Sequence, residues 1–170
     1  MSASGAAAAE GEAAKSNAAL IERFYAALDR HDAETMAACY GPGAGFSDPV
    51  FPALDAAGVR TMWRMLCARG KDLRVVVSDI EADGAAGRAR WVATYTYSST
   101  GRRVVNRIRA SFAFRDGLIT HHEDRFSLWR WAAMALGAKG VLLGWLPPAR
   151  AAIRAQAAKA LDAYARSRAG

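Results

Sequence analysis

After Gly70 the apolar residues stop recurring at helical spacing and begin to alternate with polar ones, and this alternation continues to Leu128. It divides into four long segments, 72–82, 88–98, 103–115 and 118–128. Hairpin-type turns separate them, namely Asp83-Gly84, Ser99-Thr100-Gly101 and Asp116-Gly117. Because a period of two places alternate side chains on opposite faces of a strand, this part of the chain is predicted to form an antiparallel meander with one buried face.

The sequence before the meander has the spacing of helices. Ser16 or Asn17 can cap a first helix, which carries apolar residues on one face. Asp32 can cap a second, short helix over Ala33–Tyr40, and the sequence Gly41-Pro42-Gly43 is expected to end it.

A third helix follows a short extended segment. Asp55 is the expected cap of this helix, and Phe46–Val50 is predicted to be extended. Pro49 has no N–H to donate, which indicates a strand end or an edge strand. Three helices followed by a long, curved sheet predict an α+β domain.

The chain of 170 residues is long enough for one globular domain, which we divide into three parts. Residues 1–15 are predicted to be a disordered leader, 16–128 the α+β domain, and 129–170 an apolar flap with an amphipathic C-terminal helix over 149–165. Three glycines interrupt Trp129–Leu146, which makes it a poor membrane span. We expect the flap to pack over the sheet or against a second subunit, in preference to a membrane surface.

The basic charge of the chain lies in its tail. The net charge is +7, and residues 129–170 hold seven of the basic side chains against Asp162 alone. Spread along helices, this pattern is typical of a solvated face, and no nucleic-acid partner is predicted. Cys39 and Cys67 have no metal-ligand spacing, so we expect no zinc, no other cofactor and a reducing, cytoplasmic location.

Alternation also assigns faces to the strands. In 103–115 the apolar face must be inward, which leaves Asn106 as its only polar member. In 88–98 the aromatic face is expected to be inward, with Trp91 and Tyr95 on it. Alternation alone leaves the orientation of His122 and Asp124 open.

Each of these polar residues also has an ordinary structural explanation. Asn106 can be a satisfied core amide, Tyr95 a packing aromatic with its hydroxyl at a rim, and Asp48 the cap of a turn beside Pro49. His122 and Asp124 can form a surface pair, and Trp63 is expected in the core.

Two stretches carry a family resemblance, IERFYAALDRHDAETMAACYGPGAGFSDPVF and RIRASFAFRDGLITHHEDRF. They resemble the SnoaL-like, ketosteroid isomerase-like branch of the superfamily named after nuclear transport factor 2. The resemblance covers residues 17–128 and the order of the predicted elements. It implies a cone in which three helices pack on a strongly curved sheet, open at one end to an apolar pocket, and homodimers are common in this superfamily.

The resemblance matches only some of the catalytic residues of either of two known branches of the superfamily. The general-base aspartate of ketosteroid isomerase falls on Asp48, but its tyrosine and its protonated aspartate fall on Phe24 and Ala110. In the limonene-epoxide hydrolase branch one aspartate falls on Asp124, while the arginine and the other aspartate fall on Trp91 and Ala93. This second alignment also places His122 and Asp124 inward, and neither family mechanism is expected to operate unchanged.

The resulting hypothesis is a small acid–base enzyme acting on an apolar carbonyl- or epoxide-bearing compound. Asp48 would abstract or relay a proton, His122 oriented by Asp124 would donate to oxygen or position water, and Asn106 or Tyr95 would bind the substrate oxygen. The other predicted substrate contacts are aromatic, namely Trp91, Trp63, Phe46 and Phe112. The alternative is a non-catalytic module of the same fold that binds an apolar small molecule, or a dimeric scaffold.

Overall fold

The computed structural model describes residues 3–169, and its elements follow one another as six helices and five strands. In chain order they are α1 (Ala3–Asp29), α2 (Ala33–Ala38), β1 (Tyr40–Ser47), α3 (Ala56–Arg69), β2 (Arg74–Ala82), β3 (Ala86–Tyr97), β4 (Arg102–Arg115), β5 (Leu118–Arg125), α4 (Leu128–Leu136), α5 (Ala138–Leu143) and α6 (Pro147–Ala169).

The five strands form one open sheet in the order β1-β5-β4-β3-β2. Strands β2 to β5 pair antiparallel, and β1 is added parallel to β5 at the edge. At the β4–β5 turn, Asp116 and Gly117 have φ values of 54° and 70°, the left-handed conformation that a tight hairpin requires. The predicted α+β architecture, with helices on one face of a mostly antiparallel sheet, is confirmed.

Two of the predicted helix caps are confirmed. The carboxylate of Asp32 accepts a hydrogen bond from the backbone N–H of Thr35 at 3.0 Å, at the start of α2. That of Asp55 accepts one from Gly58 at 2.8 Å, at the start of α3. Each bond satisfies one of the N–H groups that a first helical turn leaves without a partner.

Strand β1 corrects one prediction. It begins at Tyr40, which pairs with Ile119, whereas the sequence predicted a helix up to Tyr40 and an extended segment only over Phe46–Val50. The pairing is irregular just after Tyr40, where Pro42 lies. Because β1 is an edge strand, the missing N–H of Pro42 removes no interior ladder bond, and the proline does not break the strand.

The first helix is longer than predicted. It begins at Ala3, inside the segment 1–15 predicted to be disordered, and residues 1 and 2 lie outside the described residues. Alanine has the highest helix propensity, so an alanine-rich segment can extend a helix that packing already stabilises. Asn17 is 3% exposed and its Nδ2 donates to the carbonyl of Asp83 at 2.8 Å, so its side chain fastens α1 to the β2–β3 turn and does not cap a helix.

The inner face of β4 is the one that alternation predicted. Its members are all buried, namely Val104, Asn106, Ile108, Ala110, Phe112 and Phe114. Ile108, Ala110, Phe112 and Phe114 form the main core together with the apolar faces of α1 and α3. The opposite face of β4 is exposed, so one face of the sheet is covered and the other is solvated.

The tail packs on its own chain. Trp131 of α4 is buried with Val104 in a second apolar cluster, and Leu161 of α6 is buried in the main core. The guanidinium Nε of Arg154 in α6 also donates to the carbonyl of Pro49 at 2.9 Å. Within this chain, α4 packs on β4 of the sheet and α6 packs on α3. Within residues 3–169, no helix has both the length and the hydrophobicity that crossing a membrane requires.

Candidate functional site

A cavity of about 330 Å³ lies between the inner face of the sheet, α3 and the tail helices α4 and α6. Its walls are mostly apolar and aromatic, and they include Trp63, Trp91, Tyr95, Phe126, Trp131 and Ile153. Polar side chains line part of the same space, namely Asp48, Asn106, Asp124, Arg69, Thr96, Ser98, Ser99 and Gln156. A mostly apolar volume of this size suits a small organic molecule.

Asp48 lies just after β1, where its side chain caps a turn of the backbone and lines the cavity. Its Oδ1 accepts hydrogen bonds from the backbone N–H groups of Val50, at 2.7 Å, and Phe51. The pKa of Asp48 is raised to about 7, first by burial and to a smaller extent by the charge of Asp124, against the lowering effect of the two N–H donors and of Arg154. The turn-capping explanation and the cavity location therefore both hold for this residue.

Asp124 faces the cavity from β5 and is 3% exposed. Its Oδ1 accepts hydrogen bonds from the indole Nε1 of Trp91 and from Nε2 of His122, each at 3.1 Å. The resemblance to the epoxide hydrolases placed an arginine of that branch on Trp91. In this chain the indole N–H occupies that position and donates to the carboxylate.

His122 lies behind Asp124 and does not line the cavity. Its Nδ1 is 2.7 Å from the hydroxyl of Tyr40, which in turn accepts a hydrogen bond from Nε1 of Trp63 at 2.9 Å. One tautomer of His122 gives every donor in this hydrogen-bond network a partner. In it, Tyr40 donates its O–H to Nδ1, and the Nε2–H group donates to Asp124. His122, for which the sequence predicted direct contact with a substrate, therefore reaches the cavity only through Asp124.

Aromatic rings explain the enclosure of His122, which has no exposed surface. The rings of Phe46 and Phe112 lie 5.1 Å and 4.3 Å from the imidazole, centroid to centroid. The two phenylalanines, predicted to contact a substrate, instead wall off the imidazole and are not among the residues that line the cavity.

Two polar side chains present free hydrogen-bonding groups to the cavity. The hydroxyl of Tyr95 accepts a hydrogen bond from Nε1 of Trp131 at 2.8 Å, which leaves its own proton available. The amide of Asn106 lines the cavity and has no hydrogen-bond partner within the described part of the chain. Both can therefore donate to an oxygen atom of a bound molecule.

The sequence analysis missed three residues of this region. Tyr40 was placed at the end of a helix, and only the parallel pairing of β1 with β5 brings it to His122. Trp131 comes from the tail, whose packing the sequence left open. The hydroxyl of Tyr25 is buried and, among the residues described, has no hydrogen-bond partner, and burial and the charge of Asp124 raise its pKa well above the usual value. Tyr25 belongs to the apolar face of the first helix, and that helical spacing carries no signal for its hydroxyl.

Within the described residues there is no cluster of three or more histidine, cysteine or acidic side chains that could hold a metal ion. The site can be described by its carboxyl, amide and hydroxyl groups, and their chemistry is proton transfer and hydrogen bonding.

Comparisons with solved structures agree on the fold. IdmH from Streptomyces antibioticus, described as a candidate polyketide cyclase, is 25% identical with a TM-score of 0.61, over 72% of this chain and 99% of its own. TsrD from Streptomyces laurentii is 25% identical with a TM-score of 0.61, over 73% of this chain and 96% of its own. An LEH-like epoxide hydrolase from M. tuberculosis is 22% identical with a TM-score of 0.59, over 79% and 98%. No curated protein sequence matches the chain.

The family model of the SnoaL-like domain matches residues 21–122, which is more than half of the chain. The matched range runs from the buried part of α1 to His122 and so contains most of the cone. The chain belongs to the SnoaL-like domain family.

Proposed function

We propose that the protein is a small-molecule acid–base enzyme that moves a proton on an apolar carbonyl- or epoxide-bearing compound bound in the cavity. One observation carries the proposal: two carboxyl groups, those of Asp48 and Asp124, line the same apolar cavity. Burial in such surroundings raises the pKa of Asp48, and a raised carboxyl pKa is one that acid–base catalysis uses. The family, and the cyclase and epoxide hydrolase among the structural neighbours, support a small-molecule enzyme of the SnoaL type.

Asp48 is the proposed proton acceptor. With a pKa of about 7 it is a stronger base than an ordinary carboxylate and is still half ionised at neutral pH. It takes a proton from the carbon next to a carbonyl group, or from water that attacks an epoxide. Tyr95 and Asn106 donate hydrogen bonds to the oxygen on which negative charge develops.

Asp124 acts on Asp48 through its charge, which raises the pKa of Asp48. It is the second carboxyl group of the site, and its Oδ2 accepts no hydrogen bond from the described residues, so this oxygen is free to hold a water molecule or a substrate hydroxyl. His122 and Trp91 hold the carboxylate in place through Oδ1, which makes them positioning residues in this proposal.

Proton exchange on a simple ketone tests the proposal, because the reaction needs only the base and the oxygen-binding groups of the cavity. The wild type is mixed in D2O with 2-decalone, a small apolar ketone, and NMR follows the exchange of the protons next to the carbonyl. Asp48→Asn is expected to lower the rate by about 10²- to 10⁴-fold, the usual contribution of a general base, while ketone affinity is retained. Asp162→Asn, an exposed change on α6, is the matched control and leaves the rate unchanged.

The pH dependence separates the two carboxyl groups. The wild-type rate is expected to rise with pH through about 7, the pKa of Asp48. Asp124→Asn removes a negative charge and shifts this inflection to lower pH, whereas Asp48→Asn abolishes it. Hydrolysis of 1-methylcyclohexene oxide is measured in parallel for the same variants. Tight binding of both compounds with neither exchange nor hydrolysis overturns the proposal and identifies a binding module.

A further inference from the structure

Most of the large apolar side chains that the described chain exposes lie in one short region. Of eight such residues, four fall within α5 and the turn after it, and a fifth lies at the start of α4, where its indole contacts α5. Leu142 is 69% exposed and Trp145 is 62% exposed, and the others are Trp129, Val141 and Leu143. We call these five residues the α5 surface. A contiguous apolar surface of this kind marks a site of interaction.

Helix α5 packs with its small residues inward and its large residues outward. A Cβ atom at Gly140 would lie 1.9 Å from the carbonyl oxygen of Ala132, and one at Gly144 would lie 2.9 Å from the Cβ of Ala132. Only glycine at these two positions allows α5 to lie this close to α4. Because the glycine side of α5 faces α4, Val141 to Leu143 lie on the opposite, exposed side. The outer face of α5 is therefore apolar and lies in solvent.

The two tryptophans on this surface have already satisfied their polar groups. Nε1 of Trp129 donates to the carbonyl of Val141, and Nε1 of Trp145 donates to that of Leu142, each at 3.1 Å. These bonds also join the two rings to α5. The exposed ring surface can therefore enter an apolar phase without leaving an indole N–H unpaired.

The charge around this surface has one sign. From Arg125 to Leu161 the sequence contains no aspartate or glutamate. Arg130, Lys139 and Arg150 are exposed next to or within the segment. This combination of exposed leucine and tryptophan with basic flanks is typical of proteins that bind an anionic membrane surface. A second copy of the chain would bring like charges together at the same place, which disfavours self-association.

We propose that the α5 surface docks the protein onto an anionic lipid bilayer, with the apolar side chains in the interfacial region and the basic side chains at the headgroups. This contact lies on the membrane and does not cross it. The sequence analysis preferred a packed flap to a membrane surface, and packing accounts for α4 and α6 but leaves the outer face of α5 uncovered. Trp131 of α4 and Ile153 of α6 line the cavity, so the α5 surface lies between the two helices that cover it.

Vesicle flotation tests this proposal on the full chain. The wild type is expected to float with phosphatidylcholine vesicles that contain phosphatidylglycerol and to float far less with phosphatidylcholine alone. Lys139→Gln with Arg150→Gln is expected to weaken binding about fivefold per lost charge, as headgroup attraction predicts. Leu142→Ser with Leu143→Ser is expected to weaken it about tenfold per leucine.

Two control variants remove an exposed apolar side chain and two exposed basic side chains from the sheet. Val76→Ser removes an apolar side chain of β2 that is 67% exposed. Arg103→Gln with Arg107→Gln removes two exposed charges of β4. Both controls are expected to bind vesicles like the wild type, and circular dichroism checks that every variant is folded.

Three outcomes overturn the proposal. The first is that the wild type does not float with anionic vesicles, and the second is that the α5 variants float as well as the controls. The third is that the α5 variants dissociate a dimer in analytical ultracentrifugation while vesicle binding is absent, which identifies a second copy as the occupant. If the leucine variant does not fold, the charge variant and the salt dependence of wild-type flotation still test the proposed membrane contact. Added salt must weaken flotation if the contact is electrostatic.

Discussion

Nε2 of His122 lies 3.1 Å from Oδ1 of Asp124, two residues further along β5. Alternate residues of a strand share a face, so the pairing follows directly from the pleat. What differs between the two is their surroundings: Asp124 lines the cavity, whereas His122 is enclosed by aromatic rings. The imidazole is therefore placed to hold the carboxylate and not to touch a bound molecule.

The buried chain of hydrogen bonds through Tyr40 predicts an asymmetry between two tyrosines. Tyr40→Phe leaves Nε1 of Trp63 and Nδ1 of His122 without partners, and we expect it to lower the free energy of unfolding by about 1–3 kcal/mol. Tyr25→Phe removes a buried hydroxyl that has no hydrogen-bond partner in the described part of the chain, and we expect it to be neutral or stabilising. Urea denaturation of both variants measures the difference, and equal losses would contradict the network.

The raised pKa of Asp48 predicts how stability depends on pH. An unfolded aspartate titrates at about 3.9, whereas folded Asp48 titrates at about 7. Between these values the folded state holds the extra proton, so this group lowers the stability as pH rises from about 4 to 7, and its full penalty persists above 7. The penalty is about 4 kcal/mol at most, since solvent at the cavity reduces it.

Asp48→Asn isolates this contribution, because asparagine keeps an oxygen that can accept the turn hydrogen bonds. We subtract the free energy of unfolding of the wild type from that of the variant. We expect this difference to be more favourable to the variant at pH 8 than at pH 5. Urea denaturation of both proteins at the two pH values measures it. A variant that is less stable by the same amount at both would mean that Asp48 serves the turn alone.

Helix α6 covers one side of the cavity, so a larger side chain on its inner face should hinder binding. Ala157 lines the cavity, whereas its neighbour Ala158 is exposed on the same helix. Ala157→Phe is expected to occupy part of the volume and to weaken the binding of the neutral apolar probe N-phenyl-1-naphthylamine by about tenfold or more. Ala158→Phe adds the same side chain to solvent and leaves binding unchanged. Fluorescence titration compares them, and equal affinities would show that the probe does not use this cavity.

The close contact between α4 and α5 predicts an effect of a single methyl group. In Gly140→Ala the new Cβ meets the backbone of Ala132, so α5 must move, at a cost of about 1–3 kcal/mol. Hydrogen exchange is expected to accelerate across α5. Gly43→Ala, where nothing lies within 4 Å of the new Cβ, is the control and leaves the exchange unchanged. Unchanged exchange in Gly140→Ala would contradict the packing.

The sequence alone determined strands β2 to β5, the inner face of β4 with Asn106, and the caps Asp32 and Asp55. These features depend on neighbours along the chain: the alternation of a strand and the first turn of a helix are set within a few residues. The inward orientation of His122 and Asp124 needed the family resemblance as well, because both faces of that strand carry polar residues.

Only the tertiary structure decided which of these residues meet. Tyr40 reaches His122 because β1 pairs in parallel with a strand about eighty positions away, and Trp131 reaches Tyr95 because the tail folds back over the cavity. Neither pairing has a local signature, since it depends on the total free energy of burying distant apolar surfaces against one another. The same closure turned the aromatic rings of Phe46 and Phe112 toward the imidazole and left Asp48 and Asp124 as the carboxyl groups that face the cavity.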